Sequence, residues 1–389
     1  MSMTQEETSF ADTILQQGED ISTRLDMLRI ENFPPNAEKP LRQFSLAEVS
    51  EFVGVSQSYL KKLHLQGKGV EPNVTPTGRR FYTADQIDQL RALLERSPGR
   101  KNNEKLQIIA VVNFKGGSGK TTTSAHLSQF LGLKGYKTLA VDLDPQASLT
   151  SLFGIQPELD DKPSFYEALR YDGKRKSICG IIQKTNIPKL DIVPANLELQ
   201  EYEYETPLAM QNKNTHEGRT FYTRIASALK EVDEQYDVVV IDCPPQLGYL
   251  TLTALTAATS VLITVHPQML DIMSMSQFLL MLGEILKSIE TAGIKVSLDW
   301  HRYLVTRYEP GDIPQQQMVG FMQSMFAQYM LKTQMLKSTA ISDAGLTKQT
   351  LYEVERSMFT PATYDRARES LDAVNMEIVS LLQQTWGRV

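Results

Sequence analysis

The sequence predicts an α/β fold, a mainly parallel twisted sheet with helices on both faces, preceded by a helical winged helix-turn-helix domain. Three observations carry that expectation. The apolar run Ile108-Ile109-Ala110-Val111-Val112 leads into a glycine-rich turn and then a helical pattern, the strand, turn and helix start that a phosphate cradle requires. Branched apolar runs recur at Val238-Val239-Val240-Ile241 and Val261-Leu262-Ile263, as in parallel strands buried on both sides. Ahead of them, two capped helical patterns joined by a Gly-containing turn precede a tight, arginine-bearing tip.

A chain of 389 residues, 41% of them hydrophobic, can bury a substantial core and is expected to hold two folded units. The formal charge of −6 and a pI near 5.6 mean that any nucleic-acid contact must come from local basic surfaces, because the global field opposes it. Cys179 and Cys243 fit no metal spacing and read as reduced thiols of a cytoplasmic protein. The start, Met1-Ser2-Met3-Thr4-Gln5-Glu6-Glu7, lacks a basic region followed by an apolar core. No apolar stretch is read as reaching the roughly 18 residues of a membrane span, so no membrane association is expected.

Residues 8–30 read as a helix with a weak heptad, Ala11, Gly18 and Leu25 on one seam and Ile14, Ile21 and Leu28 on the other. It either pairs with a partner or packs on its own domain, and Asn32-Phe33-Pro34-Pro35-Asn36 ends it. Ser45 and Glu48 make a capping box for a helix that buries Leu46, Val49 and Phe52 and stops at Gly54. Ser56 caps a third helix, with Tyr59, Leu60 and Leu63 expected inward and Lys61 and Lys62 outward. After the Pro72–Pro76 interruption, Thr77-Gly78-Arg79-Arg80-Phe81-Tyr82 reads as a hairpin tip carrying two phosphate-reaching arginines, and Thr83 with Gln86 caps a further helix. Helix, turn, short basic helix and wing together point to DNA binding through Ser56, Gln57, Ser58, Lys61, Lys62, Arg79 and Arg80. A small helical bundle with a solvated basic face is the plainer alternative. Residues 97–105 are polar and rich in breakers, hence a linker or surface segment.

The central loop is Asn113-Phe114-Lys115-Gly116-Gly117-Ser118-Gly119-Lys120-Thr121-Thr122. Its glycines let backbone N–H groups converge on anionic oxygens, Lys120 can reach the phosphate chain, and the Thr121 hydroxyl can join the coordination of Mg²⁺. Ala125, Leu127, Phe130 and Leu131 are spaced for a helix on a sheet, and Gly135 ends it. Lys137–Asp142 is the next strand, with Asp142 and Asp144 alternating at its carboxyl end, a pattern that suits a cation and an attacking water. Residues 156–188 read as surface with one short helix near Phe165–Leu169, Leu190–Asn196 as strand and turn, and 201–219 as loop. The strand ending at Asp242 is followed by the stiff Cys243-Pro244-Pro245 exit. Met269–Leu286 reads as an adaptable core helix, Arg302–Tyr308 as a strand, Met318–Leu331 as a helix for core or subunit packing, and Tyr364–Leu382 as a terminal helix. Lys332, Lys337, Lys348, Arg356, Arg366 and Arg368 either compose a second DNA-binding surface or are solvated charges.

The loop departs from the ordinary phosphate-loop pattern, which asks for Gly where this chain has Phe114 and has no use for Lys115. Together with Asp142-Leu143-Asp144-Pro145-Gln146 and the Asp242 strand, it resembles the deviant P-loop ATPases of the ParA/MinD superfamily over residues 106–380, and the amino-terminal extension resembles that of the large plasmid-partition members. The resemblance implies an ATPase using ATP and Mg²⁺. In it Lys115, Lys120 and Asp144 are catalytic, Lys115 crossing a dimer interface and Asp144 orienting water. The nucleotide is held by Lys115, Gly116, Gly117, Ser118, Gly119, Lys120, Thr121 and Thr122, and the metal by Thr121, Asp142 and Asp242, in part through water. It further implies a homodimer that binds nonspecific double-stranded DNA on the nucleoid, a centromere-binding ParB-like partner that stimulates hydrolysis, and repression at an operator. A membrane-associated MinD-like regulator and a nucleotide-switched transcriptional repressor are the alternatives. The expected segments are residues 1–36 as a dimerisation helix, 37–98 as the DNA-binding domain, 99–105 as linker and 106–389 as the ATPase domain.

Overall fold

The computed structural model describes residues 9–32, 39–156, 162–212, 218–291, 293 and 296–388. It divides into two compact units, residues 1–39 and 40–389. The first contains helix α1 (Phe10–Asn32), on which Phe10, Ile14, Leu15, Ile21 and Leu25 are exposed. The seam residue Leu28, the first eight residues and the break at residues 33–36 lie outside the described residues and side chains.

The second unit opens with β1 (Phe44–Ser45), α2 (Leu46–Val53), α3 (Gln57–Leu65), β2 (Asn73–Val74), β3 (Arg80–Tyr82) and α4 (Ala84–Leu93). The Ser45 hydroxyl accepts from the Glu48 amide while the Ser45 amide donates to the Glu48 carboxylate at 2.9 Å, so both orphan donors of the α2 start are satisfied. Thr83 and Gln86 repeat the exchange at α4. Gly54 ends α2 at φ +74°, a conformation that favours glycine. The three strands pair antiparallel in the order β1-β3-β2. The β2–β3 tip closes through Thr75 N–H to Arg79 O and Gly78 N–H to Thr75 O, which makes the expected wing. One inward assignment is corrected: Leu60 is buried, but Tyr59 is 43% exposed. The Ser56 cap fixes the phase of a nine-residue helix that turns Leu60 into the core, leaves Leu63 half-buried and turns Tyr59 outward.

The remaining elements are β4 (Gln107–Val112), α5 (Lys120–Lys134), β5 (Thr138–Asp142), α6 (Ser148–Leu152), α7 (Tyr166–Leu169), β6 (Gln183–Lys184), β7 (Leu190–Val193), α8 (Leu199–Gln211), α9 (Arg224–Lys230), β8 (Val238–Asp242), α10 (Tyr249–Ala257), β9 (Ser260–Val265), α11 (Met269–Thr291), β10 (Trp300–Val305), α12 (Ile313–Phe326), α13 (Thr339–Leu346) and α14 (Pro361–Thr385). Seven strands form one sheet in the order β10-β9-β4-β8-β5-β7-β6, parallel except for the β6–β7 edge pair. Alternate residues face two cores. Ile109, Val111, Ala140 and Val240 pack with α5 and α14, while Ile108, Ala110, Val141 and Ile241 pack with α10 and α11.

Several loop and surface readings are overturned. Residues 199–211 are helical because Leu199, Tyr202 and Thr206 bury one side, and because the Glu203 carboxylate caps α10 through the amides of Tyr249 and Leu250 at 2.8 and 2.9 Å. Between residues 162 and 188, Phe165, Ile178, Ile181 and Ile187 are core residues. Helix α11 buries Ile272, Met275, Phe278 and Leu282 but exposes Met273, Leu280 and Met281, and it is long and apolar enough to cross a membrane by length and composition. The expectation that no stretch reaches that threshold is therefore corrected.

Residues 44–94 are fastened to the sheet domain. Phe44, Val49, Leu60, Ile87 and Leu90 belong to the same core as α5 and α14. Lys134 Nζ donates to Glu51 O at 2.8 Å, Arg91 lies against Gly135, and Glu48 is bridged by Arg42 and Arg368. Arg368 is buried, so it leaves the set of candidate DNA-contacting cations, while Lys337 and Arg356 are ion-paired with Glu309 and Asp365. Behind this junction His126 is buried within α5. Its Nδ1–H donates to Thr122 O at 2.7 Å and its Nε2 accepts from Leu351 N–H at 3.3 Å, which fixes a neutral ring. Burial pushes its pKa from 6.5 to about 4.

The unfolded chain takes up that proton at a higher pH than the folded chain does, so stability should fall as the pH drops from about 6.5 to 4, by up to roughly 3 kcal/mol from this group. Urea unfolding of the wild type and of His126→Asn at pH 7 and pH 4.5 checks it; the variant's loss across that interval should be the smaller.

Candidate active site

The site forms at the carboxyl ends of β4, β5, β8 and β10, where the loops leave the sheet. The Asn113 amide donates to Thr264 O, and Asn113 Oδ1 accepts from Lys115 N–H at 3.0 Å, which pins the start of the loop. Gly117 and Gly119 have φ of +74° and +85°. A Cβ at Gly119 would lie 3.3 Å from the Thr306 side chain, whose hydroxyl donates to Ser118 O at 2.7 Å. The loop therefore has room for backbone but not for a side chain on that side. Lys120 is buried at the start of α5 and donates to Lys115 O at 3.3 Å. Burial lowers its pKa, against the opposing charges of Asp242 and Asp144.

Asp142 and Asp242 are register partners on β5 and β8, and both are fully buried. Asp142 spends both oxygens on the chain: Oδ2 accepts from the Thr150 amide and hydroxyl at 2.8 and 2.7 Å, and Oδ1 from the Asp144 amide at 3.1 Å. It thus positions the Asp144 loop, with both oxygens engaged by donors of the chain. Asp242 accepts from Ser124 Oγ at 3.0 Å through Oδ1, while its Oδ2 is buried without a hydrogen-bond partner. Burial raises the pKa of Asp142, and the charge of Asp242 adds to it; burial also raises that of Asp242, against Thr121, Lys120 and Ser124. A buried carboxylate oxygen with no donor, beside the Thr121 hydroxyl and a loop of converging amides, fits a hard divalent cation bound with an anionic ligand.

The cleft over the loop has a volume of about 570 Å³ and is lined by Gly116, Gly117, Gly119, Lys120, Thr121, Thr122, Asp144, Gln146, Ser148, Pro245 and Arg307. Its remaining wall is Met335 to Ser342. A larger cleft of about 790 Å³ lies at the opposite ends of the strands, against Arg100, Lys137 and Asp237, and contains none of the motif residues. Lys115 is half-exposed at the rim, with Nζ 2.8 Å from Asp271 Oδ2. Asp144 is half-buried and organises its own turn by accepting from Gln146 N–H at 2.9 Å.

Sequence reasoning missed Asp271, Thr150, Thr306, Arg307 and the 335–342 wall. Arg307 has φ +53°, unusual for a residue with a Cβ, and donates to Gly117 O at 3.1 Å. Its position directly after a strand end was the available signal. Residues 335–342 carried none, since they reach the cleft only through chain closure after α12. In the amino-terminal part, Ser56, Gln57, Ser58, Lys61, Lys62 and Arg79 are exposed. Arg80 is half-buried in β3 with its Nε shielded, so the two wing arginines are not equivalent.

Residues 106–295 match a family model described as an AAA domain, and residues 44–95 match one described as a MerR HTH family regulatory protein. A Sinorhizobium fredii protein with the provisional name replication protein A is 66% identical, covering 97% of this chain and 95% of the relative. A solved structure of a partition protein has a similar fold, with a TM-score of 0.60 at 19% identity, covering 92% of this chain and 98% of that one. The cobyrinic acid a,c-diamide synthase of Mycobacterium smegmatis, solved with an ATP analogue and magnesium, has a TM-score of 0.51 at 27% identity, covering 62% of this chain and 94% of that one.

Gly119→Ala should destabilise the fold by about 1–2 kcal/mol, the cost of a left-handed residue with a Cβ, with the Thr306 contact adding to it. Denaturant unfolding beside Gly116→Ala, a position with open space around it, measures the difference.

Proposed function

The chain belongs to the ParA/MinD superfamily of deviant P-loop ATPases, among the large plasmid-partition proteins with an amino-terminal DNA-binding domain, and from that premise we propose that it hydrolyses ATP to ADP and phosphate to move or position a plasmid. The observation that carries this reading is the juxtaposition of the loop, Lys120 and Asp144 in one cleft, with the unpartnered Asp242 oxygen buried beside Ser124 and Thr121. Loop amides and Lys120 bind the phosphate charge, and the base lies toward Arg307 and the Met335–Ser342 wall. Thr121, Asp142 and Asp242 would hold Mg²⁺, some through water, and Asp142 also holds the Asp144 loop. The ion, when bound, neutralises charge on the phosphates. Asp144 orients the attacking water, and its turn, tied to Asp142 and Gln146, keeps the carboxylate at the cleft mouth.

Lys115 lies at the rim, half-exposed and held by Asp271. In an ATP-bound homodimer it reaches the partner's nucleotide, which makes dimerisation and phosphate sensing one event. The dimer binds duplex DNA without sequence preference, working in the cytoplasm on the nucleoid. A centromere-binding ParB-like protein stimulates hydrolysis. The winged helix-turn-helix binds an operator and represses the chain's own transcription unit, and the exposed stripe of α1 is the dimerisation element. In segment terms these are residues 1–36, 37–98 and 106–389, with 99–105 between the last two.

ATP turnover measured with nonspecific duplex and the centromere-binding partner tests the reading. Stimulation is expected; specific operator binding without stimulation would instead favour the nucleotide-switched repressor, and ATP-dependent vesicle binding the MinD-like regulator. Lys120→Ala should weaken ATP binding by roughly 10- to 100-fold, the value of a charge-assisted hydrogen bond. Lys115→Ala should keep ATP affinity within about threefold while ATP-dependent dimerisation is lost and turnover falls by about 100-fold. Equilibrium nucleotide titration, sedimentation and phosphate release separate the two. Asp144→Ala should bind ATP and dimerise, with turnover reduced by about 100-fold or more.

A further inference from the structure

We propose that Tyr59 reads sequence from the recognition helix α3, its ring receiving the 5-methyl groups of thymines in the major groove; this rests on the operator-binding reading above. The ring was expected in the core, yet it is 43% exposed, and no described residue stacks on it or bonds its hydroxyl. Leu60 is the one fully buried residue of the helix. Tyr59 is the third residue of α3, and its amide donates to Ser56 Oγ at 3.2 Å, so the first turn carrying it is fixed before any ligand arrives. Helical side chains lean toward the amino terminus. The ring therefore covers the Ser56–Gln57 turn, the end of a recognition helix that meets base edges.

The surroundings select the ligand. Helix α3 has no acidic residue, and Gln57, Ser58, Lys61 and Lys62 are exposed around the tyrosine, with Arg79 exposed on the wing. Cations flanking an apolar ring suit a surface that is anionic at its rims and apolar at particular points within, and in the major groove that point is the thymine methyl. The exposed Leu65 lies at the other end of the helix, away from the capped turn. The lysines supply affinity for phosphate without sequence information; the aromatic residue supplies discrimination.

The test uses the full chain and three duplexes: its own promoter, the same duplex with deoxyuridine for thymidine, and a scrambled sequence. Wild type, Tyr59→Phe, Tyr59→Ala and the double variant Lys61→Ala with Lys62→Ala are titrated across a salt series. Wild type and Tyr59→Phe should lose about fourfold affinity for each contacted methyl removed. Tyr59→Ala should bind the promoter about tenfold or more weakly, ignore the deoxyuridine change, and keep the wild-type salt slope and unfolding midpoint. The lysine variant should weaken on all duplexes with a shallower salt slope. A Tyr59→Ala protein that keeps wild-type promoter affinity, or the wild-type penalty on deoxyuridine, overturns the assignment alone. A wild type that does not prefer its promoter over the scrambled duplex overturns the operator-binding reading, and the assignment with it.

Discussion

From Thr123 to Leu133 no residue of α5 is exposed, so the helix that begins at the phosphate loop must be covered on every side. The sheet covers one side, through Ile109, Ala140 and Val240. The other is closed by α14, by residues 350–354, and at its carboxyl-terminal end by α2 and α4. Several polar groups inside that shell find partners there, although Thr123 Oγ1, Ser128 Oγ and Gln129 Nε2 do not. Gln129 accepts from Thr350, His126 bridges Thr122 and Leu351, and Asn375 donates to His126 O and Tyr352 Oη. The fastening of residues 44–94 to the sheet domain follows from this demand. Without them Phe130 and the aliphatic stem of Lys134 would face water, and Phe52 supplies the ring beneath the ammonium.

The same accounting explains the division of labour between the two strand-end carboxylates. Adjacent buried acids repel each other and lack water, so each needs donors or a cation. Asp142 obtains three donors from the chain, and in accepting them it fixes the turn that presents Asp144. Asp242 Oδ1 accepts from Ser124, with Thr121 beside it, and Oδ2 is left without a donor among the described residues. Two residues of the same type, side by side in register, thus act differently because their hydrogen-bond partners differ. The sequence places both at strand ends and does not separate them.

What could be read from residues alone was whatever depends on short spacing. The capping boxes at Ser45 and Thr83, the Gly54 stop, the wing turn around Gly78 and the branched strands all have their causes within a few residues of the element, and all are present. The misread positions have causes far away. Helix α8 is held by burial of Tyr202 and by the use of Glu203 as the cap of α10, some 46 residues on in the case of Tyr249. Tyr59 follows the helical period of its neighbours, and only the tertiary position of α2 decides that Leu60 is the anchor. In α11 the apolar residues exceed what one buried face can accept, so composition alone read as core.

The same distinction bears on charge. A chain of net −6 repels a polyanion on average, but with a Debye length of about 8 Å at physiological salt a surface is felt mainly through the groups within that distance. Along α3 those groups include Lys61 and Lys62, while the nearby acid Glu48 is already engaged by Arg42 and Arg368. Burial and the two arginines have opposite effects on Glu48, and the arginines, with the Ser45 amide, prevail, holding its pKa at about 2. Glu48 therefore remains the ionised partner of two cations across the neutral range, and its charge is largely cancelled where it sits. The ion pairs that anchor α2 to α14 thus cancel the charge of one α2 acid and leave Lys61 and Lys62 as the exposed charges of α3 itself.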